Sequence, residues 1–214
     1  MIKRISILIR RPQDDREIFS KHWNAVHGPL VATLPAVGRY VQNHVIDEFS
    51  TGADELGGYD IDGFVELYFA DEPTMRGAFA GSGVRPIWED EPNFLGHSTA
   101  YAITGNRLPS ESMTDAKLVI VGDGSPTGTD WLEKQVGALE TAQATERNDV
   151  AEVIPRTTMA RGPQPANVFI HVRFGDVATA CQAGRRLATV SVAQALSHGI
   201  KRLAITRVEE KRIV

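Results

Sequence analysis

Cysteine is nearly absent from this 214-residue chain: Cys181 stands alone. That excludes an internal disulfide and any thiolate cluster for zinc or iron–sulfur. Basic charge is also short, with 23 Lys and Arg against 27 Asp and Glu and a formal net charge of −4. No positive field exists to gather phosphate backbones, so nucleic acid is not an expected partner. Long hydrophobic runs are missing too. The N-terminal MIKRISILIRRPQDD holds a five-residue run from Ile5 to Ile9, too short for a signal-peptide core or a membrane span. These absences lead to an expected cytoplasmic location without membrane association. What is present, 42% hydrophobic and 23% charged residues, is the composition of an ordinary globular protein with a real core.

Turn chemistry divides the chain. The segment 104–117, TGNRLPSESMTDAK, mixes Pro, Ser, Gly and charges without apolar periodicity, which is how a linker reads. It leaves a first domain over 1–106, a linker over 107–115 and a second domain over 116–214. In the first domain we expect a strand at 3–10 and a helix opened by Asp14 and Asp15, with Phe19, Trp23 and Val26 at helical spacing, stopped by His27-Gly28-Pro29. Strands follow at 38–46 and 63–69, then a helix at 72–80 and a strand at 98–104. The second domain repeats the βαββαβ order: strand KLVIVG, helix at 130–144, strands DVAEVI and NVFIHVRF, helix at 176–190 and strand RLAITRVE. FVELYFAD at 64–71 even aligns with FIHVRFGD at 169–176. GDGSPTG at 122–128 lacks the Lys-Ser/Thr ending of a phosphate loop and reads as a turn before Asp130.

A βαββαβ unit is a ferredoxin-like antiparallel sheet with both helices on one face. The expected class is therefore α+β, with tandem ferredoxin-like units closing an intrachain α+β barrel. Strand alternation assigns Ile5, Ile7, Val41, Val45, Val65, Leu67 and Phe69 to the side under the helices. The opposite side then carries Ser6, Leu8, Tyr40, Gln42, His44, Ile46, Phe64, Glu66, Tyr68, His97, Tyr101 and Ile103. That face is aromatic and polar at once, as a pocket wall is. The second domain should add Phe169, His171 and Arg173 to the same interior.

FSKHWNAVHGPLV, RYVQNHV, YDIDGFVELYF and WEDEPNF, in that order, resemble the EthD-type proteins of the dimeric α+β barrel superfamily. The resemblance covers residues 1–106. It implies a pocketed barrel of the kind found in lactone isomerases, polyketide cyclases or dehydratases, cofactor-free monooxygenases and haem-degrading enzymes. The second half has neither the His-Gly-Pro turn nor the Gln-Asn-His strand, so one asymmetric site is expected.

The candidate catalytic groups are His27, His44 and Glu66, with Tyr40, Gln42, Phe64, Tyr68, His97, Tyr101 and His171 as substrate-binding residues and no metal ligand set. At a helix end the dipole favours imidazolium at His27, which suits a general acid or an oxyanion partner. His44 could serve as base, and an inward Glu66 must be paired, hydrogen-bonded or raised in pKa. A helix cap is the structural alternative for His27, and a satisfied buried bond is that for His44 and Glu66. His22 lies five residues before His27, about 140° away on an α-helix, and is expected outside the pocket. Trp23 reads as core, Asn43 as turned to the helices, and Asp90 and Glu91 as shaping a turn. The expected function is cofactor-independent proton transfer, of isomerase, cyclase or lyase type, on an aromatic, lactone or polyketide-like small molecule. The alternatives are a cofactor-free monooxygenase and a ligand carrier. A homodimer is left open.

Overall fold

A computed structural model describes residues 1–50, 56–105, 116–154 and 163–214, so the expected 107–115 linker lies outside the described residues. The first half runs β1 (Ile2–Arg10), α1 (Arg16–His22), a π-helical turn (Trp23–His27), α2 (Gly28–Ala32), β2 (Arg39–Ser50), β3 (Gly63–Phe69), α3 (Glu72–Ala80), α4 (Arg85–Asp90) and β4 (Leu95–Ile103). The second half runs β5 (Lys117–Gly124), α5 (Pro126–Gly137), β6 (Ala144–Ile154), β7 (Val168–Arg173), α6 (Val177–Ala195) and β8 (Ile200–Arg212). Short polar caps start the helices: Asp15, Asp71, Ser125 and Asp176 each accept the backbone N–H three residues on. The Ser125 cap with Pro126 at the first helical position starts α5 earlier than the apolar spacing indicated, and the helix stops at Gly137.

The eight strands close a barrel in the order β1-β3-β2-β8-β5-β7-β6-β4. Each half contributes its strands in the ferredoxin-like order fourth, first, third, second, and the halves join edge to edge through β2–β8 and β4–β6. Closure removes the open edges that two separate sheets would expose. The repeat extends to the register, because Glu66 faces Ile5 across one strand pair and His171 faces Val119 across the corresponding pair. Counting from these pairs, Lys3 matches Lys117 and Phe64 matches Phe169.

Two strands present the face opposite to the one expected. Cross-strand partners share a face, and Glu66 lies between Ile5 on β1 and Val41 on β2. Ile5, Ile7, Asn43 and Val45 therefore join Phe64 and Glu66 inside the barrel, while Ser6, Leu8, Tyr40, Gln42 and His44 turn to the helices. The physical reason is that both faces are covered, so β1 and the first half of β2 are buried on both sides and alternation of polarity loses its meaning. β3 and β4 conform to expectation, with Phe64 and Tyr101 in the interior cluster and Phe69 under α3.

The barrel centre is filled by side chains. Phe169 sits edge-on to Phe64 at 6.4 Å and to Tyr101 at 5.0 Å between ring centroids. Below this plug lies a buried ionic layer in which Glu66 receives Lys3 at 2.7 Å and Lys117 at 2.8 Å. Arg173 and Lys117 reach Glu210 at 2.8 Å each. No helix among the described residues is long and apolar enough to cross a membrane.

Candidate active site

The helix after β1 does not stop at His27-Gly28-Pro29. Gly28 is right-handed at φ −55° and ψ −51°, and its N–H reaches back to the Trp23 carbonyl, five residues earlier. That is one turn of π-helix, a local insertion frequent at functional sites. Glycine suits the close approach at 28: a Cβ there would lie 3.0 Å from Gln42 Nε2 and 3.3 Å from the Trp23 oxygen, so its neighbours would have to give way. The turn also overturns the separation expected of the two histidines. Five residues span about 140° of an α-helix but one turn of a π-helix, so His22 and His27 come to one side.

Asp90, at the end of α4, meets both. His27 Nδ1 lies 2.9 Å from Asp90 Oδ2, His22 Nε2 lies 2.9 Å from Oδ1, and Asn93 donates to Oδ1 at 3.2 Å. Phe94 is wedged beside both imidazoles, 5.0 Å from His22 and 4.7 Å from His27. Burial pushes the Asp90 carboxyl up, but hydrogen bonds from Asn93, His22 and His27 outweigh it and hold the group below its ordinary range. A carboxylate only accepts, so Nδ1 of His27 carries the proton and Nε2 keeps its lone pair. Burial drives the His27 pKa down against the pull of Asp90 and Glu91. The expected imidazolium is thus replaced by a neutral imidazole: the helix does not end there, and desolvation wins. This is the chemistry of a base oriented by a carboxylate.

His27 lines a cavity of about 40 Å³ between the outer face of the sheet and the helices, with Tyr40, Leu67, Phe79, Ile87 and Glu91 among its walls. That volume holds a few waters at most. A ring compound requires the walls to move.

His44 lies behind this cavity, beside a separate surface groove along α1. Gln42 Nε2 donates to the Trp23 carbonyl at 3.0 Å and to the Tyr40 hydroxyl at 2.8 Å, which turns Oε1 toward His44 Nε2 at 3.0 Å. His44 Nε2 therefore carries its proton, and Nδ1 accepts from Ser20 Oγ at 2.7 Å. Burial and nearby Lys211 push its pKa down to about 3. Trp23 completes the network, its ring tilted against His44 at 4.3 Å between centroids and its indole N–H on Tyr40 at 3.1 Å.

Glu66 does not join the histidines. It is on the barrel side of the sheet, where Asn43 and Tyr68 donate to it at 2.9 Å each besides the two lysines. Burial raises its pKa, but Lys117, Lys3 and His171 outweigh that and keep it well below the carboxylate range. A permanently ionised carboxylate that is fully engaged is a structural anion. His171, 3.7 Å from both Glu66 and Glu146, is driven down to about 4 by burial and Lys117. Phe64, Tyr68, Tyr101 and His171 thus lie in the packed interior, Tyr101 donating to the Gln164 carbonyl at 2.7 Å. His97 is buried at the barrel mouth, 3.1 Å from Thr99 Oγ1.

Residues 11–98 match the sequence profile of the EthD domain family. That segment is an EthD domain. An anthrone oxidase-like protein of known structure is similar over 99% of this chain and 93% of its own, at 9% identity and a TM-score of 0.63. A Fusobacterium nucleatum protein with a provisional monooxygenase name is similar over 99% and 93%, at 8% identity and a TM-score of 0.56. Both show the fold across both halves. An EthD family protein from Bacillus halodurans aligns with 50% of this chain and 100% of its own, at 19% identity and a TM-score of 0.38. No curated protein matches the sequence. Every member of the His22–Asp90–His27 group falls inside the EthD domain. Its Asp62-Gly63 pair is structural: Asp62 accepts the Arg10 N–H at 2.9 Å and Arg16 Nε at 3.1 Å, and a Cβ at Gly63 would stand 2.4 Å from the Trp23 ring.

Asp90 was read from sequence as a turn residue. The signal for its role was present in the five-residue His22/His27 spacing, which makes sense only with an inserted turn, and in the acid that WEDEPNF returns to the same layer.

Proposed function

We propose that this protein is a small-molecule enzyme in which His27 removes a proton from an aromatic, lactone or polyketide-like ligand held between the sheet and the helices. The observation that carries this reading is the 2.9 Å bond from His27 Nδ1 to Asp90, which leaves Nε2 as the basic nitrogen for the cavity that His27 lines. Removing a proton next to a carbonyl gives an enolate, and returning it elsewhere completes an isomerisation or sets up a cyclisation or elimination without a cofactor. Tyr40, on the cavity wall, orients the ligand; Gln42 and His44 hold Tyr40 and Trp23. The first domain, 1–106, supplies the acid–base groups, and the second, 116–214, completes the barrel.

A second reading is favoured by the names of the anthrone oxidase-like and monooxygenase relatives, which suggest a cofactor-free monooxygenase. There the substrate anion left by the same base reacts with dioxygen. A panel of anthrone, an unsaturated lactone and a linear poly-β-ketone, incubated in heavy water, separates the readings. His27-dependent deuterium exchange or rearrangement without oxygen uptake supports the isomerase–lyase reading, and His27-dependent oxygen uptake supports the monooxygenase. Recovery of every bound compound unexchanged favours a carrier.

A further inference from the structure

The base faces a cavity of about 40 Å³, yet a groove of about 820 Å³ lies immediately beyond one of its walls. The groove follows the β4–β6 seam beside α3, and Arg4 and Phe79 line both spaces. Phe79, half-buried on α3, leans edge-on against Phe69 at 6.0 Å, and the Arg4 guanidinium lies 4.1 Å from its ring centroid. One aromatic ring and the side chain stacked on it therefore stand between the two volumes. The larger volume is of the size that takes a whole small ligand, and the smaller is not.

The other seam is more fully covered, and the groove beside it, lined by His44, Val45, Ile46 and Lys211, is smaller at about 450 Å³. At β2–β8 the helix α6 packs across the join, with Gly184 against the Phe49 ring and Cys181 3.8 Å from Asp47. The two seams also differ in pairing, with eight paired positions in β2–β8 against four in β4–β6.

We propose that the β4–β6 groove is the outer subsite of the His27 site, that Phe79 is the wall which turns aside to join the two, and that the ligand is a planar head with an uncharged apolar extension. This rests on His27 being the base. The head occupies the cleft at His27, and the extension runs past Phe79 along Met75, Ala80, Ala102 and Ile154. The extension is uncharged because the groove's charged rim is paired within itself: Arg76 holds Glu72 at 2.6 Å and approaches Glu152 at 4.0 Å. Phe79 is a positioning and specificity residue, since it selects which ligands reach the base.

The test uses two probes, 2-naphthol and 6-hexyl-2-naphthol, titrated against the full chain carrying Trp88→Phe and Trp131→Phe. Of the three tryptophans only Trp23 then remains, bonded to the Tyr40 wall of the inner cavity. Both probes should quench it, and the hexyl probe should bind about tenfold or more tightly than 2-naphthol because its chain is removed from water. Ala102→Phe, and independently Ala80→Phe on the exposed end of α3, fill the groove without adding a second indole and should bring that ratio below about twofold. Phe79→Ala should speed the quenching by 2-naphthol. A ratio that survives both groove-filling phenylalanine variants, a hexyl probe that binds no more tightly than 2-naphthol, or the absence of Trp23 quenching by either probe would overturn the proposal. His27→Ala keeps the two readings apart. If the tail preference responds as stated but His27→Ala leaves turnover intact, the base assignment fails and the subsite stands. If His27→Ala abolishes turnover and the tail preference ignores the groove, the subsite fails alone.

Discussion

The two halves of the barrel repeat one strand order, but their helix layers were built for different purposes. In the second half the space between sheet and helices is closed mainly by apolar side chains, among them Leu132, Val136, Leu139, Ala180 and Leu187. In the first half the same space holds a π-turn, two histidines on one aspartate and a Tyr–Gln–His network, with aromatic rings between them. The sheets are alike, and on the proposed reading the chemistry sits in the helix layer of the first half. One inserted residue between β1 and β2 does much of this, since it swings His27 into line with His22 and leaves the Trp23 carbonyl to accept from both the Gly28 N–H and Gln42. A second contrast lies within the barrel. The repeat keeps a lysine at equivalent places, Lys3 and Lys117, but opposes them with one shared carboxylate, Glu66, whose counterpart is His171. Asymmetry inside the barrel gives charge balance, and asymmetry outside it gives the His22–Asp90–His27 group.

If the first half carries the chemistry, His27→Ala should break the contrast most severely. Loss of a positioned base typically removes roughly 10²–10⁴ of the rate. The circular dichroism spectrum should be unchanged, and Trp131→Phe in the second half, a ring stacked on His198 far from the cleft, should leave turnover as it was. Equal losses from both variants would mean that the rate follows fold integrity and not a site.

Glu66→Ala separates the two faces of the first sheet. It leaves Lys3 and Lys117 buried without their common anion, a defect that costs about 3–5 kcal/mol in folding free energy. Urea unfolding should show that loss. The activity that remains in the folded fraction should be close to that of the parent, because Glu66 lies across the sheet from His27. A large fall in kcat with unaltered stability would return Glu66 to the catalytic set.

How much of this could be read from the letters depends on which face a residue needed. The repeat, the class and elements such as Gly63–Phe69 and Glu72–Ala80 were legible because apolar periodicity and acidic caps report them directly. The faces of Ser6, Tyr40, Gln42 and His44 were not, since a strand buried on both sides carries no water-facing marker. Register with β3 settles them, and register is a property of pairing. Asp90 was hidden for a different reason. An acid near a helix end has an adequate local explanation in the turn, and only the convergence of a distant helix shows its second role.

Asp90→Asn sharpens the comparison further. An amide can donate to His27 Nδ1 and so place the proton on Nε2, the wrong tautomer for a base; the loss should approach that of removing His27, roughly 10²-fold or more. The pH profile checks the cause. Burial holds the His27 pKa below 6.5, so its neutral form, the active one, predominates above that value and is lost as pH falls through the lowered pKa. In the parent, kcat/KM should rise with pH on an acid limb below 6.5 and then level off. A limb centred above 6.5, or a rate that grows as pH falls, would make His27 an acid and reverse its role.

The smallest effect is expected at His22. Its sequence position suggested a surface residue whose removal would be nearly silent, but its Nε2 holds Asp90 at 2.9 Å while the ring stacks 5.0 Å from Phe94. His22→Ala takes one hydrogen bond from the carboxylate and leaves those from His27 and Asn93. A single such bond contributes about 0.5–1.5 kcal/mol, so a rate loss of roughly two- to tenfold should follow, well short of that at His27. His22→Gln, which can still donate, should recover most of it, whereas a merely steric role beside Phe94 would be served no better by Gln than by Ala. If His22→Ala were as damaging as His27→Ala, the two imidazoles would share the proton transfer, and His27 could no longer be assigned as the sole base of the first half.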